Sequence, residues 1–236
     1  MRGVHALSLA VAGLLLSPVS APVDALSRQA PTVKMPESGV PQVMTLEGKF
    51  VRAAYNNEGY VILGYQTANY SVGDEWMLLE TGATLREGVK SFKLTRDAIS
   101  LSTPDDAKLP LPTVEEYRKV DLRALEQRSK VSRDSINYFP PMAAQACRIG
   151  FFSEVGSQAM AWDEVELSYN RACLGRMYFK IPGGIKYGQH FLNVQFEKSL
   201  VRVPFRILTK DEEKLLSKNY KDIRKQVQDA FKPKKD

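Results

Sequence analysis

The sequence predicts a mainly β protein: an antiparallel β-sandwich that carries one inserted helix and a C-terminal amphipathic helix. Three observations lead to this prediction. Apolar and polar residues alternate along residues 176–181, 191–197 and 200–207, which is typical of strands with one buried and one solvated face. Short apolar segments recur about every 10–15 residues before them, as in sandwiches and barrels. Two T-x-x-E capping boxes indicate where helices begin.

The composition is that of a folded protein of ordinary size. Of its 236 residues, 44% are hydrophobic and 25% are charged, and the formal net charge is +6 at pH 7. These values exclude a disordered chain, a collagen-like chain and a small disulfide-rich domain. The length favours one domain with additional terminal segments.

Residues 1–25 are interpreted as a secretory signal peptide, because a basic start is followed by the apolar residues 6–16 and then by small residues. The apolar stretch is shorter than the roughly 20 residues that a membrane-spanning helix needs. Cleavage is expected after Ala25, or alternatively after Ala21. No later segment is apolar enough to span a membrane, so the protein is predicted to be secreted or periplasmic.

Residues 26–48 are predicted to form an extended linker. Pro31, Pro36 and Pro41 recur there among Ser, Thr, Glu and Lys residues. Proline fixes φ and has no N–H to donate, so such a stretch is expected to be extended and poorly packed.

Residues 49–208 are assigned to the sandwich domain. Early strands are expected where β-branched and aromatic residues cluster between turn-forming residues, around 50–52, 60–63, 76–79, 92–94 and 99–101. In the later strands, the alternation assigns to the core the side chains of Met177, Phe179, Val203 and Phe205. Pro204 cannot donate a hydrogen bond to a neighbouring strand, so its strand is expected at a sheet edge.

Two helices are predicted outside the strands. Thr113 and Glu116 form the capping box of a helix inserted at about 113–134. That helix is expected to pack through Tyr117, Val120, Ala124 and Val131. Thr209 and Glu212 form the capping box of the C-terminal helix, which with its basic tail occupies residues 209–236.

The C-terminal helix carries one apolar stripe, formed by Leu216, Tyr220, Ile223, Val227 and Phe231. This stripe either packs on its own domain or docks on a partner in a larger envelope assembly. The sequence leaves both arrangements open.

The two cysteines, Cys147 and Cys173, are predicted to form a disulfide, since an exported chain meets an oxidising compartment. The alternative is two free buried thiols. No histidine accompanies them, so they do not indicate a zinc site.

No catalytic constellation, metal site or cofactor motif is recognised. His190 is the one histidine outside the signal peptide, and no G-x-S-x-G motif accompanies it, so it is interpreted as a polar residue at a strand end. Gly183, Gly184 and Gly188 lie between strands, so they are interpreted as turn formers and not as a phosphate-binding loop. Asn69 begins an N-x-S glycosylation acceptor, and its modification is left open.

A carboxylate-based hydrolase is the alternative enzyme hypothesis. Glu164 and Glu166 would lie on one side of an extended segment, next to Asp163. Such carboxylates act as acid and base when they lie in a concave pocket. An exposed polar strand face explains the same pattern, and the chain is not predicted to be an enzyme.

The candidate ligand-binding residues are basic. The solvated side of the alternating strands carries Arg176, Lys180, Arg202 and Arg206. If those strands are neighbours, the four side chains share one sheet face and can attract an anionic polymer or lipid headgroups. Alternatively, the face is solvated and is neutralised by acidic residues.

Four segments carry a resemblance to a known family: Gly73-Asp74-Glu75-Trp76, residues 92–105, residues 175–182 and the closing strand that contains Phe205. They resemble immunoglobulin-like β-sandwich domains of uncharacterised bacterial secreted proteins and lipoproteins. The resemblance implies an extracytoplasmic role in binding or assembly and supplies no catalytic residues. The inserted helix and the cysteine pair depart from this pattern.

The expected function is therefore that of an exported cell-envelope module with a binding or structural role. Its partner is expected to be an envelope protein or an anionic envelope polymer, while nucleic acid is not expected outside the cytoplasm. The hydrolase and the assembly subunit that docks through its C-terminal helix remain the alternatives.

Overall fold

The computed structural model describes residues 42–230, except residues 133 and 158. The expected signal peptide, most of the expected linker and the basic tail therefore lie outside the described residues. The predicted mainly β fold with a C-terminal helix is confirmed. Within the described part of the chain, no helix is long and apolar enough to cross a membrane.

Twelve strands and four α-helices make up this part of the chain. The strands are β1 Val43–Gly48, β2 Val51–Tyr55, β3 Gly59–Gly64, β4 Trp76–Leu85, β5 Phe92–Thr95, β6 Ile99–Ser102, β7 Lys108–Pro110, β8 Gln145–Arg148, β9 Glu164–Leu167, β10 Arg171–Lys180, β11 Gly188–Gln195 and β12 Leu200–Ile207. The helices are α1 Gln66–Asn69, α2 Val114–Arg118, α3 Arg123–Val131 and α4 Lys210–Ala230.

The strands form three sheets, with six strands in the order β1-β2-β3-β4-β10-β8, four in the order β12-β11-β6-β7, and the pair β5-β9. All pairings are antiparallel except that of β8 with β10. Side chains from the two large sheets pack in one hydrophobic core. The predicted core side chains are all buried there: Met177, Phe179, Val203 and Phe205.

The outer face of the six-stranded sheet is covered over β2 and β3, although the alternation along residues 176–181 predicts one solvated face for the sheet that contains them. Ile136 and Phe139, in the segment after α3, pack on the outward side chains of β2 and β3. Two glycines make room for them: a Cβ atom on Gly64 would lie 2.8 Å from Ile136 Cγ2, and one on Gly82 would lie 2.6 Å from Phe139 Cζ. The segment around residues 136–139 is therefore part of the packed structure.

A buried polar network joins the β2–β3 hairpin to the β11–β12 hairpin. The Glu58 carboxylate accepts hydrogen bonds from the Lys198 N–H (3.1 Å) and the Ser199 hydroxyl (2.5 Å). The Asn56 side chain donates to the same hydroxyl (2.9 Å) and accepts from the Gly59 N–H (2.9 Å). Because buried polar groups are costly unless they are paired, this network holds the two hairpins in one relative position.

The predicted edge strand is confirmed, because β12 lies at the edge of the four-stranded sheet. Pro204 has no N–H to offer on that edge. Gln42 occupies another part of it, since its side-chain amide donates to the Arg202 carbonyl (2.7 Å) and accepts from the Arg202 N–H (3.1 Å). Both features limit the pairing of a further strand with β12.

The linker prediction is wrong for its last residues, because Val43–Gly48 forms β1. This strand pairs with β2 in an antiparallel register that sets Val43 opposite Tyr55. Met44 packs against the core, so the strand is held by side chains as well as by its ladder. The apolar alternation after Pro41 is the sequence signal that indicates it.

The single inserted helix is also corrected, since the structure has the two short helices α2 and α3 instead. The predicted capping box is present: Glu116 N–H donates to the Thr113 hydroxyl at 3.1 Å. Asp121 accepts from the Arg123 N–H (3.1 Å) and so favours a second helix start. The buried stripe also differs, because Val131 is 87% exposed and the buried residues are Tyr117, Leu122, Leu125 and Ser129.

The C-terminal helix α4 lies against β1 of its own chain. Its predicted capping box is present, with the Glu212 N–H donating to the Thr209 hydroxyl at 3.3 Å. Two ion pairs hold it: Lys49 with Glu213 (2.8 Å), and Arg224 with Glu47 (3.3 Å). Among the described residues of α4 none is fully buried, so the apolar stripe docks shallowly.

Replacing Gly59 tests how closely the two hairpins pack. A Cβ atom at this position would lie 2.2 Å from Cζ of the buried Phe196 ring. We expect Gly59→Ala to lower the free energy of unfolding by about 3 kcal/mol, because overpacking forces the ring or the backbone to move. Urea denaturation measures the loss. Phe196→Leu in the same background should recover part of it, and Glu87→Ala on an exposed loop should change stability by less than about 0.5 kcal/mol. An unchanged stability for Gly59→Ala would contradict this packing.

Candidate functional site

The main candidate site is a cleft between α2, α3, the segment 149–157 and β10. It consists of two cavities of about 490 and 350 Å³ that share Ser153 and Glu154 in their walls. The first is also lined by Tyr117, Arg118, Val120, Leu122, Val155, Gly156 and Ser157. The second is also lined by Glu126, Arg148, Ile149, Phe152, Gly175, Arg176 and Tyr178.

The predicted disulfide is present and positions one wall of this cleft. Cys147 on β8 lies opposite Cys173 on β10 in the parallel pairing of these strands. Directly after β8, the Ile149 N–H donates to the Leu174 carbonyl at 2.7 Å, and the chain then turns into the segment 149–157. Gly175 permits this approach, because a Cβ atom there would lie 2.5 Å from the Ile149 carbonyl oxygen.

Three aromatic rings form a rigid base beneath the two cavities. The ring centroids of Tyr117, Phe152 and Tyr178 are 4.9 to 5.2 Å apart. The Tyr117 hydroxyl donates to the Ser153 carbonyl at 2.7 Å, which joins α2 to the opposite wall. Burial raises the pKa of Tyr117 to about 12, so this hydroxyl remains protonated and continues to donate.

Above the rings, one carboxylate and one guanidinium are held in contact. Glu126 Oε1 accepts from Arg176 Nη1 (3.1 Å) and from the Tyr178 hydroxyl (2.8 Å). Arg176 Nε also lies 4.0 Å from Glu80 Oε1. The Glu126 side chain is 12% exposed, so the pair lies in a setting where charge is poorly screened by water.

The environment keeps these groups in the protonation states that the contacts require. Burial raises the pKa of Tyr178, and the neighbouring Tyr117 and Glu126 raise it further. Burial lowers the pKa of Arg176, but Tyr178, Glu126 and Glu80 together raise it above its usual value. Arg176 therefore stays charged, and Tyr178 stays a hydrogen-bond donor.

The rim of the cleft carries charges that are loosely held. Arg148 is 60% exposed and lies 3.9 Å from Glu154, which is 76% exposed. Arg118 donates to the Ala159 carbonyl at 3.4 Å, which is a long hydrogen bond. Such exposed contacts contribute little to stability, so these side chains can turn towards a ligand at small cost.

The expected basic face is not formed. Arg176 and Lys180 lie on β10 of the six-stranded sheet, while Arg202 and Arg206 lie on β12 of the four-stranded sheet. Sequence alternation identifies the solvated side of each strand, but it does not show which strands share a sheet. Binding of an anion by these residues stays a prediction.

Like Arg176, the two arginines on β12, Arg202 and Arg206, have partners within the protein. Arg206 makes two hydrogen bonds to Glu212 Oε1, at 3.0 and 2.8 Å. Arg202 donates to the Asn193 side chain (3.1 Å) and lies over the Phe191 ring, 4.4 Å from its centroid. The Arg206–Glu212 pair matches the alternative in which acidic residues neutralise the basic ones, whereas the partners of Arg202 carry no charge.

The carboxylates of the hydrolase hypothesis lie outside the cleft. Glu164 and Glu166 are on one exposed side of β9, as expected for an extended segment. Glu164 pairs with Lys93 (2.6 Å) and Glu166 with Arg171 (3.3 Å). Asp163 is 88% exposed. Each of these three carboxylates therefore faces a basic side chain or open solvent.

Two other candidate residues are buried. His190 has no exposed area, and burial lowers its pKa to about 4 although the Gly188 carbonyl and Asp105 oppose this shift. Asn69 is 5% exposed and its side-chain oxygen accepts from the Leu208 N–H at 2.7 Å, so the folded chain does not present this side chain at the surface. Gly183, Gly184 and Gly188 have positive φ, as turn formers do.

Sequence reasoning missed Glu126, Phe152 and Tyr178 as site residues. Glu126 is one of many charged residues in the expected helix, and Tyr178 alternates with Met177 and Phe179, which favours a solvated side chain, whereas the structure buries it. No local signal links them, since Glu126 and Arg176 are 50 positions apart in the chain. Among the described residues, no group of three or more His, Cys, Asp or Glu side chains could hold a metal ion.

The chain matches no protein-family model, and neither a curated protein nor a solved structure proved similar to it.

The buried histidine predicts a pH-dependent stability. An unfolded chain protonates His190 near pH 6.5, whereas the folded chain does so only near pH 4. The unfolded state therefore binds more protons between these values, and stability falls as the pH decreases from about 6.5 to about 4, by about 3 kcal/mol. Urea denaturation across this range measures it. His190→Phe should flatten this component, and parallel profiles for the two proteins would contradict the assignment.

Loss of the disulfide is expected to loosen β8 and the segment 149–157 that follows it. We expect the double variant Cys147→Ser/Cys173→Ser to lose about 3 kcal/mol of stability in the chain-entropy model. Amide hydrogen exchange should rise most in β8 and in the segment 149–157, because the bridge holds β8 beside β10. Reduced wild type serves as the matched control and should behave like the variant. Uniform protection in that segment would show that the wall does not depend on the bridge.

Proposed function

We propose that this protein is an exported binding module of the cell envelope, and that the cleft between α2, α3 and the segment 149–157 holds its ligand. The observation that carries this proposal is the Glu126–Arg176–Tyr178 group, which is held by its own contacts at the base of an open cleft with exposed charges on its rim. Polar groups that are fixed before binding lose little entropy when a ligand arrives.

Export is supported by two independent features. Residues 1–25 have the composition of a secretory signal peptide. The Cys147–Cys173 disulfide is of the kind that persists in oxidising compartments outside the cytoplasm. We therefore propose a secreted or periplasmic location.

Binding fits the cleft better than catalysis does. The two tyrosines have raised pKa values and already donate to Ser153 and Glu126, so neither is an activated nucleophile. The Glu126 oxygen that accepts from Tyr178 also accepts from Arg176. A general acid or base needs a proton that is free to move, and these contacts hold theirs in place.

The ligand that we favour is a segment of an envelope protein. The cleft presents carboxylates and guanidiniums together, and a polypeptide offers groups of both signs and many amides. An anionic polymer is less suited, because it requires a surface of one sign. The alternative assembly subunit requires α4 to dock on another chain, whereas here α4 lies on β1 of its own.

The immunoglobulin-like assignment remains part of the proposal. Two sheets that share one core support a sandwich. The consecutive antiparallel strands β1 to β4 form a meander, which differs from the strand order of immunoglobulin domains. The resemblance to secreted bacterial domains therefore supports the binding role and not the detailed topology.

Site-specific photo-crosslinking in the native cell envelope tests this function. We expect a photoreactive residue at Ser157, on the wall of the cleft, to capture a discrete protein partner. The same residue at Lys90, on the exposed loop between β4 and β5, is the matched control and should capture none. Arg148→Glu should reduce capture from Ser157, because it reverses a rim charge. Equal labelling from both positions, or none from Ser157, would contradict a ligand in this cleft.

A further inference from the structure

The strand β8 forms one edge of the six-stranded sheet and pairs only with β10. In this parallel pairing, the Gln145 N–H donates to the carbonyl that immediately precedes β10 (2.9 Å), and the Ile149 N–H donates to a carbonyl of β10 itself (2.7 Å). Successive backbone groups of a strand point to opposite sides within the sheet. The N–H and C=O groups of Ala146 and Arg148 therefore point away from β10.

These outward backbone groups are open to solvent. Ala146 and Arg148 are both exposed, and the exposure of a residue as small as alanine includes its backbone. Within the part of the chain that the structure describes, no hydrogen bond engages the N–H of either residue. The free edge of β8 thus presents two donors and two acceptors at the spacing of a β ladder.

The other three edges of the two large sheets are protected within the described residues. The helix α4 lies against β1, where Arg224 pairs with Glu47. The edge of β12 carries Pro204 and the side-chain amide of Gln42. The strand β7 is three residues long and ends in Pro110. Since proteins usually protect their sheet edges, an open edge indicates a place where another strand pairs.

The charge on this edge favours a different protein over a second copy of the same chain. Antiparallel pairing of two β8 strands, with Ala146 opposite Arg148, would bring two Arg148 side chains to diagonal positions about 7–8 Å apart. Their like charges would oppose this pairing. The nearest carboxylate, on Glu154, is 3.9 Å from Arg148, and both side chains are mostly exposed. A carboxylate on an incoming strand can therefore replace Glu154 at small cost.

The two faces of β8 differ in what they offer to an added strand. Arg148 lies on one face, whereas Cys147 lies on the other, is partly buried and packs against the hydrophobic core. At its end, β8 leads directly into the cleft, since Arg148 and Ile149 line the cavity of about 350 Å³. A segment paired with β8 is thus continuous with the proposed ligand site.

We propose that β8 binds an extended acidic segment of the partner protein as an added strand, which pairs with the backbone of Ala146 and Arg148 and continues into the cleft beyond Ile149. This inference rests on the proposed function, because it specifies how the segment in the cleft is held. Main-chain hydrogen bonds supply the affinity in this mode of binding, and alternate side chains supply the specificity. Carboxylates face Arg148, and apolar side chains face Cys147.

Two capped eight-residue peptides provide a matched pair of probes: one alternates valine with glutamate, and the other alternates valine with lysine. Amide hydrogen exchange of the mature protein, resolved by NMR, is the measurement. We expect the glutamate peptide to slow exchange at Ala146 and Arg148, with a dissociation constant of the order of a millimolar or below. The Cys147 N–H already faces β10, so its exchange should not change. The lysine peptide should bind at least about fivefold more weakly.

Three variants test the backbone and the charge separately. Ala146→Pro removes one outward N–H at an edge position that tolerates proline, so it should weaken binding of the glutamate peptide at least about tenfold. Ala146→Thr is the matched control, because it keeps the N–H and suits a strand, and it should bind as wild type does. Arg148→Glu leaves the backbone intact and should reverse the preference, so that the lysine peptide binds more tightly.

Photo-crosslinking from Ser157 in the native cell envelope distinguishes this inference from the proposed function. Capture that is lost in Ala146→Pro and retained in Ala146→Thr supports strand addition. Equal capture by wild type and Ala146→Pro overturns strand addition and leaves the cleft function standing, whereas no capture by wild type contradicts the cleft function itself.

The exchange data can overturn the inference independently. Unchanged exchange at Ala146 and Arg148 with the glutamate peptide would exclude an added strand. Protection of these two amides that increases with protein concentration, without any peptide, would show that two copies of the chain pair through β8 and would also overturn it.

Discussion

Both faces of the central strands β3 and β4 are covered, and the rest of the molecule is arranged around this constraint. The inner face packs in the core shared with the four-stranded sheet, and the outer face packs on Ile136 and Phe139. A slip of one residue in either strand would exchange these two faces, so the register has no close alternative. The contacts of Gly64 and Gly82 follow from the same constraint, since larger residues would displace the covering segment.

The cleft is a consequence of how the chain reaches and leaves that covering segment. The helices α2 and α3 precede it, and α3 contacts β10 through Glu126, whereas β8 follows it and pairs directly with β10. The Cys147–Cys173 bridge holds β8 beside β10, and the Tyr117 hydroxyl links α2 to Ser153 in the segment 149–157. Two of the groups at the base of the cleft, Arg176 and Tyr178, lie on β10 where it pairs with β4, and a site on a paired strand is held in place before a ligand arrives.

The positive net charge is distributed among local pairs and does not form one surface. Arg176 meets Glu126 within the cleft, and Arg206 meets Glu212 at the start of α4. Partners of this kind fix the orientation of the guanidinium and consume its attraction for other anions. The proposed ligand site therefore rests on the small mixed-charge region around Glu126 and not on the net charge.

The sequence by itself determined the local features, namely the alternation along the late strands, both capping boxes and the glycine turns, and it predicted the pairing of Cys147 with Cys173 with two free thiols as the alternative. Each depends on neighbouring residues or, for the disulfide, on there being two cysteines to pair. Only the tertiary structure decided which strands share a sheet, that β1 belongs to the six-stranded sheet, and that Glu126 contacts Arg176. Those outcomes depend on contacts between residues far apart in the chain, for which periodicity and propensity carry no information.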